Sequence, residues 1–250
     1  MTSPLIADSC VAVFCDLDGT LIAEPSLEMR LFHALREHGD IPLLNYARWA
    51  GEWLRLLRGG LTQIQYANKR YLRGVPRDLI YRHVAQIPIF EEAIARLAWH
   101  ARQGHILVVV SGTIEPLAHI AAIAIECEFE ARGVETRLHV CATRLEEHFG
   151  RWTGRIVGEA VYGPAKHDVV LQFAAQHSVD LRNSYAYGNS IDDSFMLSAV
   201  GHAHVVNPNK RLATLANLYD WPVWHWQHDK RLPFTKAAAK SKIQQLESGV

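Results

Sequence analysis

The sequence predicts an α/β fold: a Rossmann-like, mostly parallel sheet with helices on both faces, plus a small helical bundle inserted near the N-terminus. Three observations predict it. Short, near-continuous apolar runs such as "CVAVFCD" at 10–16 and "HILVVVSGT" at 105–113 have the pattern of strands buried on both faces. Segments with helical periodicity separate these runs, which is the βαβ alternation. One stretch, 23–95, breaks the alternation with four successive helical patterns and no strand.

Taken in order, the first run supplies a strand that stops at two acids, Asp16 and Asp18. The inserted stretch then reads "SLEMRLFHALREHG", "LNYARWAGEWLRLLRGG", "LTQIQYANKRYLRG" and "PRDLIYRHVAQI". Each has apolar residues at three-to-four spacing, and Gly, Pro or Thr signals divide them. A crossover needs one helix, so the surplus predicts a separate lid. The stripe of Trp49, Trp53, Leu56 and Leu57 is assigned to the core of that bundle, and its polar residues, among them Asn68 and Lys69, to a solvated face. Beyond it come a helix at 90–104, the strand at 105–113, a buried helix in "EPLAHIAAIAIE" and a strand in "LHVCATRLE". "GRWTG" at 150–154 lies between two extended pieces and suggests a hairpin. "AKHDVVLQFAAQH" is a helix, and "SYAYGNS" and "HAHVVNPN" are strands. "KRLPFTKAAAKSKIQQ" reads as a solvated terminal helix. The expected division is an α/β core of 1–22 and 96–232, a helical cap of 23–95 and a tail of 233–250.

Lys plus Arg and Asp plus Glu each number 26 in 250 residues, so there is no basic excess of the kind nucleic-acid binding needs. The four cysteines show no metal-ligand spacing, and strand alternation turns Cys15 away from Asp16 into the core. No run approaches the ~18–20 apolar residues that span a bilayer, and the N-terminus lacks the pattern of a signal peptide. The expectation is a cytoplasmic protein with no nucleic-acid or membrane partner.

The predicted strand ends carry Asp16 with Asp18, then Ser111 with Gly112 and Thr113, then Asn189 and Ser190 with Asp192 and Asp193. Lys166 opens the helix before the last group. Clustered carboxylates are tolerable only with a cation, and hard oxygen donors without His or Cys point to Mg2+. A hydroxyl, the N–H groups beside Gly112 and an ammonium are what phosphoryl oxygens need. One carboxylate can attack phosphorus while a second, two residues along, moves the proton. A calcium loop starting at Asp16 would need Glu at its twelfth position, which is Leu27.

Asp16-Leu17-Asp18-Gly19-Thr20, Ser111 in "VVVSGT", Lys166 and "GNSIDD" at 188–193 together resemble the haloacid dehalogenase superfamily of phosphohydrolases, nearest its phosphoserine-phosphatase-like group with an all-helical cap. The resemblance implies Asp16 as nucleophile, Asp18 as general acid and base, and Ser111 and Lys166 as holders of the phosphoryl oxygens. It implies Mg2+ held through Asp16, the Asp18 carbonyl and Asn189, with Asp193 completing the metal site by supporting the metal's waters and orienting Lys166. Gly19, Thr20, Gly112 and Arg30 are the candidate substrate-binding residues. The implied substrate is a small phosphomonoester. Asn189 stands where the family usually has Asp, and Pro25 where the phosphoserine enzymes carry an acid. Transfer of the phosphoryl group to an alcohol, or a weakened ligand-binding member of the family, are the alternatives.

Overall fold

The structure, a computed structural model, describes residues 10–56, 68–84 and 86–233. Strand β1 (Ala12–Cys15) is buried at every position. It is followed by helices α1 (Leu27–Glu37) and α2 (Leu43–Leu56), a 3-10 turn at Arg70–Leu72 and the short helix α3 (Leu79–His83). Ser26 caps α1, its hydroxyl accepting the Met29 N–H at 3.2 Å.

Strand β2 (Gln86–Phe90) comes next, and it corrects the expectation of helices throughout 23–95. Pro88 forces the residue before it out of helical geometry, and Ile87 and Ile89 then alternate into the core. Pro88 accepts the Ala23 N–H at 2.9 Å and Phe90 donates to Leu21 at 3.0 Å, so the way into the inserted stretch and the way out are stitched together. Of the helical pattern at 61–74, residues 61–67 fall outside the described residues, and 68–74 hold one 3-10 turn at Arg70–Leu72.

Helix α4 (Glu91–Arg102), strand β3 (Ile106–Ile114), helix α5 (Glu115–Ala131) and strand β4 (Leu138–Thr143) follow. A hairpin of β5 (Leu145–His148) and β6 (Arg151–Ile156) turns at Phe149 and Gly150, both at positive φ (50° and 70°), as a two-residue loop matched to strand twist requires. Helix α6 (Pro164–His177) starts with Pro at its first position. After it come β7 (Tyr185–Gly188), a 3-10 turn at Ile191–Asp193, α7 (Ser194–Leu197), β8 (His202–Val206), α8 (Lys210–Leu218), β9 (Val223–Trp224) and β10 (Asp229–Pro233).

The main sheet runs β4-β3-β1-β7-β8-β9, with every pairing parallel. Its faces are covered as the α/β class demands. Val13 and Cys15 belong to the core shared with α4 and α5, while Ala12 and Phe14 face α6, α7 and α8. Strand β10 pairs antiparallel with β2 and buries Leu232 to 2% exposure. The terminal-helix reading is thus corrected for 230–233, and 234–250 lie outside the described residues. No helix among the described residues is long and apolar enough to cross a membrane.

From β1 the chain moves to β3 and β4 on one side, then to β7, β8 and β9 on the other. The carboxyl ends of β3, β1 and β7 therefore border a topological switch point, where sheets of this kind form a crevice.

Candidate active site

Asp16 is the first residue beyond β1, and its N–H donates to Tyr187 on β7 at 2.9 Å. Lys166, in the first turn of α6, places its Nζ 2.6 Å from Asp16 Oδ1 and 2.6 Å from Asp193 Oδ1. These three side chains are almost fully buried. Two carboxylates therefore share one ammonium. Burial, then the charge of Asp193, push the Asp16 carboxyl up to about 7 despite the nearby Lys166. Burial works against the charged form of Lys166, yet Asp16 and Asp193 outweigh it and raise its pKa.

Asp18 is held differently. Its Oδ1 accepts the Leu27 N–H at 2.8 Å at the start of α1, and its Oδ2 accepts the Thr113 hydroxyl. Burial raises its pKa against both hydrogen bonds, with Glu24 and Glu28 adding to the rise. A carboxyl biased toward its protonated form suits a proton donor.

Ser111 is buried near the end of β3, and its Oγ accepts the Thr113 N–H at 3.2 Å. Pairing with β4 shifts register between Ser111 and Ile114, so Gly112 and Thr113 leave the ladder at this point. Asp193 has both oxygens engaged. Oδ1 receives Lys166, and Oδ2 accepts from the N–H groups of Asn189 and Ser190 and from the Ser190 hydroxyl at 2.8–3.0 Å.

Four of the candidate residues have partners inside the protein. The Gly19 N–H bonds Ile22 at 2.7 Å; a Cβ there would lie 2.0 Å from Asn189 Nδ2, and φ is +85°, so this glycine gives clearance to Asn189. Thr20 is fully buried and donates its hydroxyl to Asp16 Oδ2 at 3.0 Å. Arg30 donates to the carbonyls of Ala23, Glu24 and Pro25, bracing the loop before α1. Asp193 holds Lys166 through Oδ1 and three donors through Oδ2.

Among the described residues no three His, Cys, Asp or Glu side chains form a metal cluster. The donors that fit here are mixed: the Asp16 carboxylate, the Asp18 carbonyl and the Asn189 amide oxygen. They are hard oxygens beside uncompensated negative charge, which suits Mg2+.

A cavity of about 740 Å³ opens on Asp18, Gly112, Thr113 and Asn189. Its far wall comes from the inserted stretch. Lys69, only 1% exposed, places Nζ 2.6 Å from both oxygens of Glu28, and the Tyr71 hydroxyl donates to Glu28 at 2.8 Å. The solvated-face reading of Asn68 and Lys69 is thereby corrected. So is the core assignment of Trp49 and Trp53, each 37% exposed and lining the cavity; Leu56 is buried, and Leu57 lies outside the described residues. Thr113, named with Ser111 at the strand end, has a contact with Asp18 that the sequence does not show. The Lys69–Glu28 pair spans 41 residues and leaves no local sign. Asn209 of "NPNKR" donates its N–H to Asn189 at 2.9 Å and reaches the cavity wall.

Residues 13–198 match the family model described as haloacid dehalogenase-like hydrolase. A probable phosphatase of Mycobacterium tuberculosis is 34% identical over 172 residues, covering 67% of this chain and 56% of that protein. The chain therefore spans little more than half the length of that curated relative. The inhibition of morphological differentiation protein of Streptomyces azureus is 29% identical over 237 residues, covering 88% of this chain and 80% of its own. Among solved structures, a protein with unknown function from Bordetella pertussis Tohama I matches with a TM-score of 0.61 at 23% identity, covering 86% of this chain and 98% of that one. A substrate-bound phosphoserine phosphatase complex matches with a TM-score of 0.59 at 18% identity, covering 88% and 95%. At such identities the likeness is one of fold.

Proposed function

The chain belongs to the haloacid dehalogenase-like hydrolase family, and we propose that it is a magnesium-dependent phosphomonoesterase working through a phospho-Asp16 intermediate. One observation carries the reading: Lys166 Nζ lies 2.6 Å from both Asp16 and Asp193 at the carboxyl ends of adjacent parallel strands, with Asp18 two residues from Asp16.

In the first step an Asp16 carboxylate oxygen bonds to phosphorus as the ester P–O bond breaks. Asp18 gives its proton to the departing oxygen, and the alcohol leaves neutral. Asp18 then takes a proton from water, whose oxygen bonds to phosphorus as the bond to Asp16 breaks. Inorganic phosphate leaves and both carboxyl groups are restored. Lys166, the Ser111 hydroxyl and the Gly112 N–H would face the phosphoryl oxygens. Mg2+, held by Asp16, the Asp18 carbonyl and Asn189, would supply further positive charge there.

Residues 27–83 would act as a cap that selects the leaving group and shields the reaction from water. A cytoplasmic setting is consistent with four cysteines in thiol form.

The test is an assay of phosphomonoesters with magnesium, using wild type and Asp16→Asn, together with acid-quench trapping of phosphorylated protein. Turnover and a trapped phosphoryl group in wild type only are expected. Equal rates in the two proteins defeat the reading.

A further inference from the structure

The cavity beside Asp18 has a chemical bias that the phosphoryl site does not explain. Phe32 lies five residues beyond Leu27, roughly 7.5 Å along α1 from the Asp18 contact. Its ring sits 6.4 Å from that of Trp49 and 5.3 Å from that of Tyr71. Trp53, one turn beyond Trp49 on α2, lines the same wall. The apolar end of the cavity is thus lined by aromatic side chains.

The charges on the wall are lopsided. Asp18, Glu24, Glu28 and Asp192 line the cavity, and Lys69 is the only lysine or arginine among its described lining residues. That ammonium is not available to a ligand: it is buried, and its 2.6 Å contacts to both Glu28 oxygens fix it in place. Glu28 is in turn saturated by Lys69 and Tyr71. Glu24 and Asp192 also line the cavity and form no ion pair among the described residues, although Lys166 and Arg211 act on Asp192 from a distance.

A leaving group bearing a carboxylate would meet negative charge here with no described cation to receive it. One bearing a positive charge would be attracted twice, by the carboxylates and by the faces of Phe32, Trp49 and Trp53, since cations bind aromatic faces through the ring quadrupole. Resting on the phosphomonoesterase reading above, we infer that the cavity selects esters whose leaving group is an amino or quaternary ammonium alcohol without a carboxylate.

Two matched comparisons test this. Phosphocholine and 3,3-dimethylbutyl phosphate have the same shape and differ in the charged nitrogen. Dissociation constants for both are measured by calorimetry with the Asp16→Asn variant and magnesium, where phosphocholine should bind about tenfold more tightly. Phosphoethanolamine and phosphoserine differ in the carboxylate, and kcat/KM on wild type should favour phosphoethanolamine by about tenfold. Trp49→Ala and, as a second variant, Trp53→Ala should each weaken phosphocholine severalfold and leave inorganic phosphate binding unchanged.

Equal binding of the isosteric pair, or phosphoserine as the better substrate, overturns the inference and leaves the phosphatase reading standing. Asp16→Asn as active as wild type defeats the phosphatase reading instead, and the binding comparison still decides the charge preference of the cavity.

Discussion

The Thr113 hydroxyl donates to Asp18 Oδ2, tying the end of β3 to the acid that follows β1. With Leu27 N–H on the other oxygen, this bond fixes the direction of the Asp18 carboxyl. In the proposed mechanism Asp18 is the proton donor and works only from a set position, so Thr113 would control chemistry that it does not itself perform.

Thr113→Val should therefore lower kcat roughly 10- to 100-fold, a share of what general acid–base assistance contributes. Thr113→Ser should retain most activity. Steady-state kinetics with an unchanged urea midpoint for both variants would verify this; a Val variant at the wild-type rate would remove Thr113 from the mechanism.

Asp193→Asn probes the buried pair. An amide offers one acceptor and one NH2 group, so either the Lys166 ammonium or the N–H groups of Asn189 and Ser190 would face a donor. Lys166 keeps Asp16 as its counter-ion, so the cost is that of a buried donor left without an acceptor, and we expect a loss of about 1–3 kcal/mol in urea unfolding. Activity should fall with it, because Lys166 loses its orientation.

Magnesium dependence should move in opposite directions in two variants. Asn189→Asp adds a negative charge among the candidate donors and should lower the magnesium concentration that gives half-maximal activity. Gly19→Ala places a Cβ 2.0 Å from Asn189 Nδ2 and strains a residue at φ +85°, so it should raise that concentration. A magnesium titration of initial rates reads both effects.

Stability should fall in mild acid because of histidines packed on the α4 side of the sheet. His100 is fully buried, with Nε2 2.8 Å from the Tyr187 hydroxyl and Nδ1 3.0 Å from His105 Nδ1. Burial, helped by Arg96, His105 and His204, depresses its pKa from 6.5 to about 3. Burial and the charges of Arg96 and His202 bring His204 to about 4. The folded form thus excludes protons that the unfolded chain binds below its pKa of about 6.5. Stability is unaffected by these groups above that pH and declines as pH falls from there toward 3 or 4. The slope approaches about 1.4 kcal/mol per pH unit for each histidine. Urea unfolding across this range should be steeper for wild type than for His100→Asn by up to about one proton.

The sheet and the acids at its edge are legible for a local reason. Val13, Phe14 and Cys15 announce a buried strand, and Asp16 and Asp18 follow it at a spacing that survives in the folded protein. The inserted stretch was harder to read. Trp49 and Trp53 show the same helical stripe whether they fill a core or line a cavity, because periodicity records which residues share a face and not what that face meets. Pro88 was the visible sign of strand β2, yet its partner, β10, lies about 140 residues away in sequence.

Sequence by itself determined the strand ends and the types of group they deliver: carboxylates, a hydroxyl and an ammonium at the edge of a parallel sheet. Tertiary structure decided how each group is used. It occupied Thr20, Arg30 and both oxygens of Asp193 with partners inside the protein, and it fastened Lys69 to Glu28. The reason is physical. A side chain's chemistry belongs to the residue, whereas the direction of a hydrogen bond and the loss of water around a charge depend on neighbours brought together only by folding.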